Sequence, residues 1–500
     1  MVEEQKHPLL LHPNPNNGVA NVNERYGGDI LLENMSETLS IFDRKRETWD
    51  ELKKVWQIGG PSIFCRLAMF SLTIITQSLA GHLSDLDLAA FSIATTLLIA
   101  ISFGFLIGMS TALETLCGQA YGARQHHMLG IYMQRSCVVL FLCAILLLPM
   151  FIFAAPLLKI LGQSAEVAER TGLVARWLIP MHLSFVFQFS FQRFLQSQLK
   201  TAIIAWSSAV SLAVHAIISW IFVYKLGVGI VGTALTLDFS WWLSVFIFYG
   251  YVVYGGCPKT WNGFSWQAFT ELWDFFKLAL ASGVMVLLEN VYYRLLVIAS
   301  GDAGSSHAAV DALSICVTLF GWESMVPLGI LAATGVRVAI ELGAGNVGGA
   351  KFAAKVCMLT SSVIGLIFFA LVIAIPDKLA LIFTPNSSVI SIVRELAVML
   401  ASTILLNSIP PVFLGIAVGS GWQVLAAYIN IGSYYLIGFP LGIFLGRVMN
   451  FGYMGIWVGM LGGSVTQILL LATVTNKIGW EKEVQKARGK HFLTNKVVHD

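Results

Sequence analysis

The sequence predicts an all-α polytopic membrane protein, with twelve transmembrane helices in two parallel six-helix lobes related by pseudo-two-fold symmetry. Three observations carry this reading. Of the 500 residues, 56% are AVILMFWYC and only 12% are DEKR, at a mean hydropathy of +0.75, whereas soluble proteins carry about 25% charged residues. Twelve stretches are apolar over roughly the ~20 residues that a membrane helix needs. The first six stretches and the last six align at one nearly constant offset. Lipid is therefore the solvent, which excludes a soluble enzyme, a nucleic-acid-binding module and a disordered scaffold. The net charge of +3 points to no acidic partner. Seven scattered cysteines without a CxxC pair indicate neither zinc nor a disulfide framework, and read as small apolar packing residues. No cofactor and no metal is expected.

Residues 1–50 are polar, with an HPNPNN run, and read as a disordered tail. Their only early apolar run is Leu9-Leu10-Leu11, far short of a ~7–15-residue signal core, so the first helix acts as its own insertion signal. Pro8-Leu9-Leu10 reads either as a dileucine-type sorting signal or as a short apolar patch. The first lobe is placed at 51–254, with spans near 57–80, 88–113, 131–153, 171–192, 202–224 and 230–254. A polar loop at 255–271 leads to the second lobe at 272–475. Its spans lie near 272–299, 309–333, 354–376, 391–416, 424–446 and 453–475. The tail 476–500 is basic. An even number of spans puts both tails on one side. That side gathers 22 Lys/Arg, Arg193 and Arg337 counted among its loops, against seven on the other, so both tails read as cytoplasmic. Asn386-Ser387-Ser388 is a glycosylation sequon on the outer side, too close to the membrane to be a good acceptor.

The repeat runs at an offset of about 223 residues. Lys54 falls on Lys277, Gly122 on Gly345, and Gly229-x-x-Gly232 on Gly452-x-x-Gly455. Ala90-x-Ser92-Ile93-x-x-Thr96-Leu97 falls on Ala312-x-Ser314-Ile315-x-x-Thr318-Leu319. Repeats of six crossings keep their orientation, so the lobes are parallel, a transporter architecture with its site near the midplane.

Polar residues inside lipid are the candidate functional ones. Glu289 lies close to the middle of the seventh span, where exposing a charge costs roughly 2.5–3.5 kcal/mol, so it should face a cavity. A carboxyl held there is a candidate for loading and releasing a proton. Tyr293, one turn on, shares its face. Asp311 opens the eighth span and reads either as a second acid of that cavity or as a helix-N-terminal acid favoured by the dipole. Glu323, beside Trp322, lies deeper in the same span. Asp238 in the sixth span faces the cleft or bonds a neighbouring helix. Arg66, set opposite Glu289 by the repeat, either attracts an anionic substrate or pairs with an acid. His182 and His215 read as satisfied core histidines. Gly59-Gly60-Pro61 and Pro410-Pro411 read as helix breaks of the kind that line transporter cavities.

Several motifs resemble the multidrug and toxic compound extrusion (MATE) family in its plant branch. They are Glu114-Thr-Leu-Cys-Gly-Gln-Ala-Tyr-Gly-Ala-Arg124, Gln192-Arg-Phe-Leu-Gln-Ser-Gln198, Glu341-Leu-Gly-Ala-Gly-Asn346, Gly419-Ser-Gly-Trp-Gln423 and Tyr428-Ile-Asn430. The resemblance spans about residues 50–480. It implies two six-helix lobes and cation- or proton-coupled antiport of organic solutes. It also matches Glu289 to the family's coupling carboxylate, and Asp311 to its helix 8 aspartate. Many members have an aspartate on helix 10 where this chain has Asn407, and bacterial members have one on helix 1 that is missing here. The expectation is a monomeric proton-coupled exporter of small organic molecules in the vacuolar or plasma membrane, with Tyr293, Trp322, Glu323, Asn407, Asp238 and Arg66 at its substrate cavity. The competing expectation is an anion channel or electrogenic anion carrier of the vacuolar membrane. Catalysis is not expected, because no nucleophile motif or metal-spaced cluster falls among the spans.

Overall fold

The computed structural model describes residues 17–301, 307–477 and 479–487. The chain divides into two units, Met1–Lys53 and Lys54–Asp500. The described residues form helices and turns and no strand. Six long helical elements build the first lobe. They are α1 Asn17–Leu83, α2 Asp85–Gly122, α3 His126–Ile152, α4 in two pieces (Ala165–Trp177 and Ile179–Ser197), α5 Ala202–Lys225 and α6 Gly229–Gly256. The second lobe follows with α7 Leu272–Gly301, α8 His307–Ala344, α9 Val347–Ala374, α10 Ser387–Ser420, α11 Gln423–Val448 and α12 Gly452–Lys477. Among the described residues, ten of the helices are long and apolar enough to cross a membrane. The other two of the twelve are α4 and α7. The second piece of α4 turns Gln188, Gln192, Arg193 and Gln196 into the lobe interior, and α7 carries Glu289.

Some boundaries differ from the apolar runs, for physical reasons. Helix reaches back to Asn17 within the stretch read as disordered, where no proline occurs between Pro15 and Pro61 to break it. Both α2 and α8 outrun their apolar segments by several residues at their C-terminal ends, because the polar side chains there find partners between helices. Gly59-Gly60-Pro61 does not break α1, which is continuous through it. Pro410 does start a new helical piece, and Pro180 restarts α4 after Leu178. Ser84 caps α2 by accepting from the Asp87 N–H at 3.0 Å. In the second lobe α11 and α12 pack through glycines, and a Cβ on Gly459 would stand 2.2 Å from the Gly442 Cα.

The two intramembrane histidines are satisfied in the first lobe's interior. His182 bonds Ser102 Oγ at 2.9 Å and the Ala144 carbonyl at 2.9 Å. His215 bonds Thr76 Oγ1 at 3.0 Å and Ser240 Oγ at 2.9 Å.

Between α9 and α10 the short helix Pro376–Leu381 is tied to α10 by Arg394, whose Nε donates to Asp377 Oδ1 at 2.8 Å. That hydrogen bond holds the Asp377 carboxyl below its ordinary range. Its stabilising effect is complete above the unfolded pKa of about 3.9 and is lost as pH falls through the lower folded value. Arg394→Ala should return the Asp377 titration to the ordinary carboxylate range in an NMR or infrared pH series. An unchanged midpoint would show that Arg394 does not set it.

Candidate functional site: the inter-lobe cleft and its seal

The tail side is the membrane face at which α1 enters the bundle and α12 leaves it. There the two lobes meet backbone to backbone, because small residues stand wherever helices cross. A Cβ on Gly118 of α2 would lie 2.6 Å from Ala339 Cβ of α8, and one on Gly122 would lie 2.0 Å from the Ile340 carbonyl oxygen. Gly343 of α8 approaches the Gln119 carbonyl in the same way, at 2.0 Å. Farther from the tails, Gly329 receives Ile63 of α1, and Gly108 receives the Ser282 carbonyl of α7. From Gly108 to Gly122 the contact runs ~21 Å along α2, at ~1.5 Å per residue. Gly108 and Gly329 mark the outer limit of these approaches among the described residues.

Hydrogen bonds cross the seam. Thr115 Oγ1 donates to the Val418 carbonyl at 2.5 Å, and Gln119 Nε2 donates to the Gly419 carbonyl at 3.1 Å. Gln423 Nε2 donates to Thr115 Oγ1 at 2.8 Å. Within the seam Glu114 is fully buried and pairs with Arg193 of α4 at 2.5 Å. Arg193 also donates to Gln196 Oε1 at 3.2 Å and Ser110 Oγ at 3.4 Å. Gln196 in turn donates to Ser62 Oγ of α1 at 3.0 Å. The other oxygen of Glu114, Oε1, has no hydrogen-bond partner and lies where a Cβ on Gly335 of α8 would fall, 2.1 Å away. On the tail side of that point Arg337 pairs with Glu341 at 2.5 Å, and Asn346 Nδ2 donates to Glu341 Oε2 at 2.9 Å.

The sequence reading missed Glu114 and Arg193 as site residues. Glu114 sits just past the apolar run 88–113 and so looked like loop. Arg193 and Arg337, counted as loop cations, are only 3% and 4% exposed. Their guanidinium groups are structural charges of the seal.

In the second lobe Glu289 is half-buried on α7. The segment that carries it is braced: Tyr435 donates to the Leu288 carbonyl at 2.7 Å, and Tyr292 stacks on Tyr434 with ring centroids 4.4 Å apart. Tyr434 donates to Gln467 Oε1 at 2.7 Å, and Gln467 donates to Asn430 Oδ1 at 2.8 Å. Glu323, 4% exposed, has the Asn407 side chain of α10 as a polar neighbour, while neither of its carboxyl oxygens makes a hydrogen bond among the described residues. Along the helix axes Glu289 lies ~18 Å from the Gly301 end of α7, and Glu323 ~24 Å from the His307 end of α8. Asp311 lies only ~6 Å from that same end and is exposed. By depth Glu323, rather than Asp311, is the closer companion of Glu289. Trp322, beside Glu323, is exposed. The Tyr293 side chain lies outside the described residues.

Asp238 is placed away from the cleft. It is 5% exposed inside the first lobe, and its Oδ1 accepts the Met181 N–H at 3.0 Å. It therefore caps the restart of α4 after Leu178, and Trp242 Nε1 steadies the same break by donating to the Pro180 carbonyl at 2.9 Å. Arg66 is half-buried on α1. Among the described residues no acid pairs with it, and its Nε is buried without a hydrogen-bond partner.

Comparison with known proteins agrees with this architecture. The MatE family profile matches residues 61–221 and 281–444. Protein DETOXIFICATION 27 of Arabidopsis thaliana is 52% identical over 441 residues, covering 88% of this chain and 91% of that protein. DETOXIFICATION 26 of the same plant is 51% identical over 444 residues, covering 89% and 91%. Among solved structures, the eukaryotic MATE transporter AtDTX14 superposes with a TM-score of 0.84 at 32% identity, covering 89% of this chain and 99% of that one. The outward-facing conformation of a multidrug resistance MATE family transporter of the MOP superfamily superposes with a TM-score of 0.76 at 15% identity, which shows the fold alone.

Proposed function

We propose that this chain, which belongs to the multidrug and toxic compound extrusion (MATE) family, exports organic solutes from the cytosol in exchange for protons. Membership makes it a multi-pass membrane transporter of organic substrates and not an enzyme. The finer reading has one observation behind it. Glu289 is a carboxylate deep in a membrane helix, and no basic side chain pairs with it among the described residues. Such a group is neutralised most cheaply by a proton. A proton arriving from the acidic side neutralises Glu289, the second lobe rearranges, and the solute leaves. Deprotonation on the cytosolic side resets the lobe. Glu323 and Asn407, in the same lobe, bear on the same cavity. The Lys/Arg bias supports cytoplasmic tails, and the membrane is the vacuolar or plasma membrane, either of which separates the cytosol from a more acidic space.

The alternative reading, an anion channel or electrogenic carrier, draws on Arg66. The ~21 Å of backbone contact at the seam supports a carrier, since conduction needs an aqueous path open at both ends. A mixed-metabolite uptake screen in proteoliposomes, read by mass spectrometry, tests both. The expected result is accumulation of an organic solute under an imposed pH gradient and its loss when nigericin collapses that gradient. Accumulation indifferent to the gradient, or bilayer currents that persist without it, would overturn proton exchange.

A further inference from the structure

We propose that the floor of the inter-lobe cleft binds an aromatic carboxylate, with Arg66 of the first lobe pairing the carboxylate and Trp322 of the second lobe stacking on the ring. The proposal names a substrate class for the transport reading above and rests on it for the site's use, though not for its existence.

The placement follows from which helix faces meet. Gly59 of α1 faces Ile330 and Ala333 of α8, and Ile63 fills the space at Gly329. Arg66 stands two turns beyond Gly59 and within ~20° of its direction, so its stem leaves α1 toward α8, ~4.5 Å outward of Ile63. On α8, which runs the opposite way, Trp322 stands two turns before Gly329, ~10.5 Å outward and across Pro327, a residue at which a helix bends. Trp322 is 52% exposed. The two anchors thus lie on helices of different lobes, just outward of the seal. They are offset by ~6 Å along the axis, comparable with the ring-to-carboxylate span of a phenylpropenoate.

The charge balance says why an anion belongs there. Among the described residues, Arg193 and Glu114 are charged groups that act on Arg66. Glu114 is already committed to Arg193 at 2.5 Å. Two guanidinium groups therefore share one carboxylate at the cleft floor, and the Arg66 Nε is buried without a partner. The second lobe's Glu323 is turned toward Asn407. A planar guanidinium takes a carboxylate in two parallel hydrogen bonds, and an indole face takes an aromatic ring.

The site also fixes how exchange must work. Protonating Glu289 removes a negative charge, which by itself favours a bound anion, so simple charge competition has the wrong sign for antiport. The two halves of the site lie on different lobes, with Trp322 and Glu289 on the same one. Proton-driven movement of the second lobe withdraws Trp322 from a ligand that Arg66 still holds, and release follows from geometry.

The test measures binding of radiolabelled cinnamate and of uncharged cinnamide to the purified full-length protein in detergent, with no gradient present. Wild type should bind the acid about tenfold or more tighter than the amide, and Arg66→Gln should erase that gap. Arg66→Lys should keep part of it. Trp322→Ala should weaken both ligands together. Equal binding of acid and amide by wild type, which needs no variant to fold, would overturn the proposal. So would a gap that survives in Arg66→Gln, or displacement of cinnamate by chloride at equal concentration. Intact acid-selective binding without pH-driven uptake would instead overturn the proton-exchange reading and leave this site standing.

Discussion

Glu289→Gln protein in liposomes is expected to lose pH-driven accumulation of its solute while keeping solute-for-solute counterflow. The amide cannot take up or lose a proton, so the gradient no longer drives the lobe, while the solute itself can still carry it between its two states. The accumulation ratio should fall roughly 5–150-fold, the range of ordinary coupling free energies between two sites. Counterflow needs no proton step and should survive. Glu323→Gln should lower accumulation less, because Asn407 is a polar neighbour of that carboxyl and the amide keeps its shape. If Glu289→Gln still accumulates solute against its gradient when a pH step is imposed, Glu289 is not the coupling acid. If counterflow collapses together with accumulation, the carboxylate is holding helices rather than carrying protons.

The twelve helices were readable because each must supply about 20 apolar residues, a constraint so strong that composition exposes it. Glu289 was readable for the same reason: a lone acid among LASGVMVLL stands out against lipid. The seal was not. Thr115, Gln119, Arg193 and Arg337 lie where hydropathy falls, and falling hydropathy looks the same whether a residue meets water or another helix. Repeat logic also misleads at this level. The offset that puts Arg66 opposite Glu289 also carries Glu114 onto Arg337. In the structure Glu114 pairs across to α4, whereas Arg337 pairs with Glu341 on its own helix. The lobes share a backbone plan and differ in their charges. Asp238 shows the same limit, since only the fold reveals that the break at Pro180 needs a cap and that α6 supplies it.

Breaking the Glu114–Arg193 pair should open the tail side. The pair is buried in the seam, with Glu114 fully buried and Arg193 3% exposed, so removing one partner strands the other charge. That typically costs ~3–5 kcal/mol, enough to shift a two-state equilibrium more than 100-fold. The cost falls on the sealed state, because parting the lobes at this end lets water reach the stranded charge. Glu114→Gln and Arg193→Gln should therefore each deplete the sealed population. The double variant, with a neutral pair in the same space, should recover much of it, since replacing both partners removes the stranded charge. Spin labels at His127 and Lys351, exposed near the tail-side ends of α3 and α9, would report the separation by pulsed electron resonance in a cysteine-depleted background. Gly122→Val should widen it by a different route, since its side chain would run into the Ile340 carbonyl. A label distance unchanged in both single variants would mean that the pair braces the first lobe alone. Two single-variant effects that simply add in the double would mean that the residues act separately, and the seal would then rest on its glycines and on the Thr115, Gln119 and Gln423 hydrogen bonds.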